Sequence, residues 1–305
     1  MRCVVGPLGV LPLTANDFIE HQLSERIRAL GALLDSDAVA LHGPIVSAVD
    51  SVVRNVIEDL HRRTGQRSLT VLLTTDGGFI EVVQRIVAIL RHHYAHVTFI
   101  VPDYAFSAGT ILVMSGDVIY MDYYARLGPI DPQVELGKGQ MVPALGYLIQ
   151  WERLVQKARD GSLTPAEAEL MITGFDQAEL YKYEQARELS VALLREWLVR
   201  YKFKDWSQDG SDRDAVPTET REDRALRIAR ELNRTERWHT HGNGISIDVL
   251  RELDLDIGDF SANPELDASI RGYHDLLVDY MDKRGDLGVV HSAARYVRFL
   301  RVEPS

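Results

Sequence analysis

The spacing of apolar residues predicts alternating helices and strands in the first half of the chain. Helical spacing is found in residues 15–34, 44–62, 79–92 and 107–115. Compact apolar runs of strand length are found at 69–75, 96–102 and 118–121. Because parallel strands need long crossover connections, which are usually helices, this alternation predicts an α/β fold with a mostly parallel sheet flanked by helices.

In the second half the pattern becomes predominantly helical. Apolar positions predict a helix over 143–159. The capping box Thr164-Pro165-Ala166-Glu167, with proline at the first helical position, begins a helical region that extends to about Tyr201 with a break at Gly174. Two later helices are predicted at 218–233 and 247–253. The C-terminal part is therefore expected to be helical.

One polar segment interrupts this pattern. Residues 206–223 contain few apolar side chains, which is typical of an exposed loop rather than of a boundary between domains. The sequence therefore predicts three parts: a main domain at 1–205, the exposed loop at 206–223, and a helical extension at 224–305 that packs on the core.

Composition and charge narrow the class of protein. The chain has 305 residues, of which 46% are apolar and 26% charged, as in ordinary globular proteins. Its formal net charge of −11 argues against nucleic-acid binding, which favours a basic face. The single cysteine, Cys3, excludes an internal disulfide and a cysteine-rich metal site, and it fits a reducing compartment.

The apolar N-terminus lacks the features of a membrane-spanning segment or of a targeting signal. No run reaches the roughly 18 apolar residues that cross a bilayer. Residues 1–14 are apolar, but glycine and proline interrupt them and Arg2 is the sole charge, so they make a poor signal peptide. We expect an edge strand or a partner-docking segment there, no transmembrane segment, and a cytoplasmic protein.

Two turns carry the candidate chemistry. The strand 69–75 ends in Asp76-Gly77-Gly78, and the next strand leads into Phe106-Ser107-Ala108-Gly109-Thr110. Carboxyl ends of parallel strands meet at one edge of a sheet, so the two turns should lie together. A glycine pair can present backbone N–H groups to a substrate oxygen, and a serine at a sharp turn can expose its hydroxyl group. This combination favours acyl transfer.

Each turn also has a simpler interpretation. Ser107 alone could be a small residue that fits a tight turn. The glycine turn could bind a dinucleotide, but it lacks the third glycine of that fingerprint and a ribose-binding acid at the next strand end. The convergence of the two turns favours Ser107 as a nucleophile, with no cofactor.

A third motif gives the arrangement a family resemblance. Leu127-Gly128-Pro129-Ile130-Asp131-Pro132-Gln133 follows the two turns in the order seen in the serine dehydrogenase proteinase family, which the chain resembles over about 68–133. That family belongs to the Clp protease/crotonase superfamily, with signal peptide peptidase A. The resemblance implies repeated ββα units, Ser107 as the catalytic nucleophile, and an oxyanion hole formed by the backbone N–H groups of Gly78 and Ala108. It also implies a peptide or protein substrate and a homo-oligomer.

The sequence departs from the relatives at the general base. The position of the Clp histidine falls on Ile130, and the lysine of some signal peptide peptidases falls on Ala144. Asp131 is the carboxylate that the motif places closest to Ser107, and it could instead brace the Gly-Pro turn. Three lysines are alternative candidates for the base, although each is more typical of a solvated surface residue: Lys138 at a predicted hairpin tip, Lys157 and Lys182.

One pair of histidines is a candidate for metal binding. His239 and His241 lie two residues apart, so on a strand their side chains would face the same way. No acidic or sulfur partner lies at a diagnostic spacing. We therefore expect packing of this loop on the core and no metal.

Three functions remain open on the sequence. The leading hypothesis is a serine peptidase-like hydrolase. The alternative is an inactive member that binds a peptide or acts as an assembly scaffold, which the missing base supports. A crotonase-like enzyme acting on an acyl thioester would share the oxyanion hole without needing Ser107, but few basic residues lie between 71 and 133.

Overall fold

A seven-stranded sheet forms the centre of the protein, as seen in a computed structural model that describes residues 14–130, 133–136, 140–205, 220–234 and 244–302. Its strands are β1 (Asp37–His42), β2 (Ser68–Thr74), β3 (His96–Ile100), β5 (Val118–Met121), β9 (Gly258–Asp259), β10 (Asp286–Ser292) and β11 (Arg295–Arg301). Short strands β4 (Tyr104–Ala105) and β6 (Arg126–Leu127) pair in parallel, and β7 (Gln133–Leu136) and β8 (Gln140–Pro143) pair antiparallel.

The strand order confirms the predicted α/β class. The order across the sheet is β11-β10-β1-β2-β3-β5-β9. Within this sheet the neighbouring strands β1, β2, β3, β5 and β9 are parallel to one another. β10 pairs antiparallel with both β1 and β11. The sheet is therefore mostly parallel, with an antiparallel hairpin added at one edge.

Helices cover both faces of the sheet. They are α1 (Ala15–Leu33), α2 (Val49–Thr64), α3 (Ile80–His93), α4 (Ala108–Val113), α5 (Ala144–Arg159), α6 (Pro165–Thr173), α7 (Gln177–Trp197), α8 (Arg221–Leu232), α9 (Ile247–Glu252) and α10 (Pro264–Arg284). A π-helical turn, Leu198–Lys202, continues α7. Because β1, β2 and β3 succeed one another in the same direction, right-handed crossovers place α2 and α3 on one face.

Alternation along the strands divides the interior into two layers. Val39 and Leu41 of β1 join the core with α2 and α3, whereas Ala38 and Ala40 join a second core with α1 and α10. Successive strand residues point to opposite faces, so a buried strand must be apolar on both. A third, smaller cluster lies between α5 and α7 and centres on Leu148.

The structure adds strands that the apolar pattern did not predict. β1 lies between two predicted helices and was not identified in the sequence. The C-terminal part contains the expected helices, α8, α9 and α10, but the chain from 286 to 301 forms the β10–β11 hairpin. The predicted capping box at Thr164 and the helix end at Gly174 are present.

Two further expectations from the sequence concern membrane-spanning helices and the polar segment 206–223. In the part of the chain that the structure describes, no helix is long and apolar enough to cross a membrane. Most of the polar segment 206–223, from 206 to 219, lies outside the described residues. The division into three parts stays a prediction.

Candidate active site

The glycine turn after β2 is built from two residues with positive φ. Gly77 has φ +100° and Gly78 has φ +146°, conformations that side-chain-bearing residues rarely adopt. The Ile45 N–H group donates to the Gly77 carbonyl oxygen at 2.7 Å, and the Phe79 N–H group donates to the Ile45 carbonyl oxygen at 2.9 Å. A Cβ atom on Gly78 would overlap that Ile45 oxygen. The turn is therefore held against the segment that follows β1, with no room for a side chain.

Ser107 is the N-cap residue of α4 and has an unusual backbone conformation. Its φ is +53° and its ψ is −120°, although it carries a side chain. Such strain costs on the order of 1–3 kcal/mol and persists where the surrounding structure fixes it. The residue is 2% exposed. The sharp turn that the sequence predicted at this serine is thus present in the fold.

Backbone hydrogen bonds tie the two turns together. The Thr75 N–H group donates to the Tyr104 carbonyl oxygen at 3.0 Å, and the Phe106 N–H group donates to the Thr75 carbonyl oxygen at 2.9 Å. A Cβ atom on Gly77 would lie 2.8 Å from the Ser107 Cβ atom and 3.3 Å from the Ala108 nitrogen. Gly77 therefore lies directly against the start of α4, and the structure brings the glycine and serine turns into contact.

The N–H groups of Gly78 and Ala108 lie at these turns. Ala108 is the first residue of α4, where a helix leaves its N–H groups without an intrahelical acceptor. Among the backbone hydrogen bonds of the described residues, none uses the N–H group of Gly78 or Ala108. Both groups are chemically able to donate to a substrate oxygen.

Thr110 is a positioning residue to which the sequence analysis gave no role. Its Oγ1 atom lies 2.8 Å from the carbonyl oxygens of Ala105 and Gly128, and it accepts the Gly128 N–H group at 3.1 Å. A Cβ atom on Gly128 would lie 2.9 Å from the Phe106 Cα atom. The Gly-Pro motif thus packs against the serine turn. The sequence feature that could have identified Thr110 is its position as the last residue of the Phe-Ser-Ala-Gly-Thr motif.

The candidate bases have different surroundings. Asp131 and Lys138 lie outside the described residues, although β7 and β8 pair on either side of 137–139. Lys157 forms an exposed ion pair with Glu167 at 2.5 Å, and Lys182 is exposed. A lysine base must be desolvated to lose its proton near neutral pH, so neither of these two has suitable surroundings.

A group of polar side chains lies at the same edge of the sheet, and the sequence did not predict that they would lie near the two turns. His42 ends β1, and its ring centroid lies 6.1 Å from that of His274 in α10. Burial, with a smaller effect of His274, lowers the pKa of His42 to about 4. Burial, with smaller effects of Asp76 and Asp103, raises the pKa of Tyr104. Both side chains are therefore neutral near pH 7.

Across the described ranges, no group of three His, Cys, Asp or Glu side chains is arranged to hold a metal ion. The pair His239 and His241 lies outside those ranges.

A comparison with protein families identifies the segment that carries the site. Residues 46–164 match the family described as ClpP-like SDH-type serine proteinase. This segment includes both turns and the Leu127–Gln133 motif. The predicted family resemblance is confirmed. The match supports the peptidase class in outline, and it leaves the roles of single residues as predictions.

Two curated proteins from one organism are similar to the chain in sequence. Both are uncharacterized proteins of Methanocaldococcus jannaschii. One is 26% identical over 189 residues, which cover 62% of this chain and 51% of the relative. The other is 33% identical over 135 residues, which cover 42% of this chain and 46% of the relative. The chain therefore spans about half the length of the curated relatives it matches.

Among solved structures, the chain is similar to two mutants of 1510-N, a membrane-bound stomatin-specific protease. A lysine-to-alanine mutant in complex with a substrate peptide is 14% identical, with a TM-score of 0.43, and the match covers 86% of this chain and 84% of that one. A serine-to-alanine mutant is 20% identical, with a TM-score of 0.31, and the match covers 48% of this chain and 74% of that one.

Proposed function

We propose that the protein is a serine peptidase-like hydrolase that cleaves peptide bonds with Ser107 as nucleophile. The observation that carries the proposal is the contact between the glycine turn and the strained serine turn. Ser107, at φ +53°, lies directly against Gly77, at φ +100°. Strain at a residue that a packing role alone does not require is a common feature of active sites.

The proposed reaction has two acyl-transfer steps. The Ser107 Oγ atom attacks the peptide carbonyl carbon while its proton passes to a base, and the N–H groups of Gly78 and Ala108 donate to the oxyanion that forms. Collapse of this intermediate breaks the C–N bond, and the leaving amine takes up the proton. Water then attacks the carbonyl carbon of the acyl ester while one of its protons passes to the base. Collapse of the second intermediate breaks the ester C–O bond, releases the carboxylic acid product and returns the proton to the Ser107 Oγ atom. Each oxyanion donor contributes on the order of 10²–10³ in rate.

The proposed reaction needs a base that accepts the proton of the Ser107 hydroxyl group. We assign the role to Asp131, which the Leu-Gly-Pro-Ile-Asp motif places nearest to the serine turn. The neighbouring Ile130 N–H group donates to the Leu232 carbonyl oxygen at 3.0 Å, which attaches this motif to α8. An aspartate can serve as a base near neutral pH only where burial raises its pKa.

We also propose the setting in which the site works. The substrate is a peptide or a protein, and the chain acts as a cytoplasmic homo-oligomer. The match to a ClpP-like proteinase family supports the substrate class. The assembly and the compartment rest on the sequence resemblance and on the low cysteine content.

A second candidate function is an inactive member of the family that binds a peptide or acts as an assembly scaffold. It is favoured by one observation: the positions of the family bases carry Ile130 and Ala144, which cannot take up a proton. Such a protein would keep the peptide-binding N–H groups and lose turnover.

Peptide cleavage distinguishes the two candidates. Purified wild type, Ser107→Ala and Ser115→Ala are incubated with a mixed peptide library, and new termini are read by mass spectrometry. Ser115 lies just beyond the other end of α4, where its hydroxyl group donates to the Leu112 carbonyl oxygen, so its variant is a matched control. The proposal predicts cleavage by wild type and Ser115→Ala alone. Equal cleavage by Ser107→Ala, or binding without cleavage, contradicts it.

A further inference from the structure

A cavity lies beside the glycine turn and has no role in the proposed acyl transfer. Its volume is about 320 Å³. That size is near the lower limit of small-molecule pockets, so it suits one side chain better than a cofactor. It opens between the ends of β1 and β2 and the helix α10, where its lining includes His42, Asp76, Tyr104 and Asp282.

The cavity has apolar walls. Pro44, Val278, Met281 and Leu300 line it together with the polar residues. An aliphatic chain could therefore be buried along these walls while its polar end reaches the carboxylates, as lysine and arginine side chains do on protein surfaces.

The charge of the cavity is negative and is not compensated locally. Asp76 and Asp282 are exposed, and within the described part of the chain neither side chain forms an ion pair. Asp286 is different, because Arg284 at 3.1 Å and Arg298 at 3.2 Å neutralise it. None of the described residues that line the cavity is lysine or arginine. Two carboxylates thus face the cavity without a cation.

The other polar side chains of the lining, His42 and Tyr104, carry no charge near pH 7. The Nδ1 atom of His42 is buried and has no hydrogen-bond partner among the described residues. Burial holds His42 neutral, so the imidazole adds no positive charge to the cavity that would repel a cation. Tyr104, on the same lining, adds a phenol.

We propose that this cavity binds a basic side chain, lysine or arginine, of the peptide substrate. The assignment rests on the proposed peptidase function. Asp76 lies two residues before Gly78, a separation of at most ~7 Å along the chain. The basic side chain would therefore lie within about two residues of the scissile bond. The acyl transfer proposed above involves the peptide bond alone, so it does not by itself require a basic side chain in the substrate.

Cleavage of matched peptides tests this specificity. The substrates are quenched fluorescent peptides that carry arginine, lysine or norleucine at each position around the cleaved bond. We expect kcat/KM for the best basic peptide to exceed that of its norleucine counterpart by about tenfold or more. In the double variant Asp76→Asn/Asp282→Asn the ratio should fall close to one. Asp279→Asn, which removes a charge of α10 that pairs with Lys283 outside the cavity, should keep the ratio.

Binding to the variant Ser107→Ala separates this inference from the proposed reaction. Basic peptides should bind this variant more tightly than norleucine peptides, and the added Asp76→Asn/Asp282→Asn change should remove the difference. Selective binding without any cleavage by wild type would refute the peptidase and support the cavity assignment. Cleavage without a basic preference, or a preference that survives in the double variant, would overturn the assignment and leave the peptidase standing. Absence of both refutes both.

Discussion

Three residues at the site adopt backbone conformations that most residues avoid. Ser107, Gly77 and Gly78 all have positive φ, and only the two glycines are free of a Cβ penalty. Their close contact explains why glycine is needed where it occurs, because a side chain on either would meet backbone atoms. The strain at Ser107 is balanced by the hydrogen bonds that tie its turn to Thr75. At the residue scale, backbone conformations and backbone contacts therefore determine the shape of the site.

Replacement of Gly77 tests that description. In Gly77→Ala the new Cβ atom would lie 2.6 Å from the Phe106 carbonyl oxygen, so the serine turn must shift. We expect a loss of ~3 kcal/mol or more in the free energy of unfolding. Gly65→Ala is the matched control, because Gly65 has φ +64° and a Cβ atom there meets nothing within 4 Å. It should cost only ~1–2 kcal/mol. Urea unfolding measures both, and equal costs would refute the close-contact account.

These residues can be identified from the sequence because tight turns require particular small residues at particular positions. The pairs Gly77-Gly78 and Ser107-Ala108 each follow a clear apolar run, and parallel strands bring such ends together. His42 and Tyr104 gave no comparable signal, since a histidine or tyrosine at a strand end has many uses. The base lacks a local signature altogether, because proximity to Ser107 depends on the path of the chain beyond Ile130.

At the scale of elements, one buried carboxylate joins three of them. Asp117, just before β5, accepts hydrogen bonds from Arg91 of α3 at 2.6 Å and from Lys204 at 2.5 Å, and it also accepts the Val97 N–H group of β3. Burial raises the pKa of Asp117, but the hydrogen bonds from Lys204, Val97 and Arg91 outweigh this effect and leave the pKa below its usual value. Asp117 is thus held as a carboxylate, and it lies beyond the C-terminal end of α4, whose other end follows Ser107.

Asp117→Asn should destabilise the fold without changing the site directly. Removing the charge leaves Arg91, whose side chain is 10% exposed, without its carboxylate, at a cost of about 3 kcal/mol. Because the folded pKa of Asp117 is depressed, the wild-type contribution is present above an ordinary aspartate pKa of about 4 and is lost as the pH falls below it. Unfolding free energies should therefore converge between wild type and variant in strong acid. A constant difference at every pH would contradict this assignment.

The elements that the sequence did not reveal have weak patterns. β1 carries a short apolar run, Ala38–Leu41, between two amphipathic helices, and half of that run is alanine. β11 has arginine at 295, 298 and 301, and these charged residues interrupt the apolar pattern that its partly buried residues would otherwise show. Both are assigned by pairing with distant strands, and pairing partners cannot be identified from local periodicity. By contrast, β5 has the same limits as the apolar run that predicted it.

At the scale of the whole molecule, the β10–β11 hairpin adds a buried histidine to the core. His291 of β10 is fully buried, and one of its ring nitrogens lies 2.7 Å from the Tyr273 hydroxyl group of α10. Burial lowers the pKa of His291 to about 4. The unfolded chain binds a proton at this residue near the ordinary value of 6.5, so it holds more protons than the folded chain between these two pH values.

The protein should consequently be acid-labile well above the range in which aspartates titrate. The contribution of His291 is fully present above about pH 6.5 and decreases as the pH falls towards 4. Between pH 7 and pH 5 we expect His291 to account for a loss of about 2 kcal/mol in the free energy of unfolding. His291→Gln should be less stable at pH 7 and should lack this part of the slope. The same slope in both proteins, measured by urea unfolding, would show that His291 does not cause it.

Fluorophosphonate labelling tests the central claim most directly. The purified full chain is treated with the reagent between pH 6 and 9, and the adduct is located by mass spectrometry of proteolytic fragments. An activated Ser107 predicts one adduct, on Ser107, that is absent in Ser107→Ala, present in Ser115→Ala, and more rapid as the base loses its proton. If folded wild type carries no adduct on Ser107 at any pH, the nucleophile assignment is wrong and the strained turn belongs to a binding or scaffold protein.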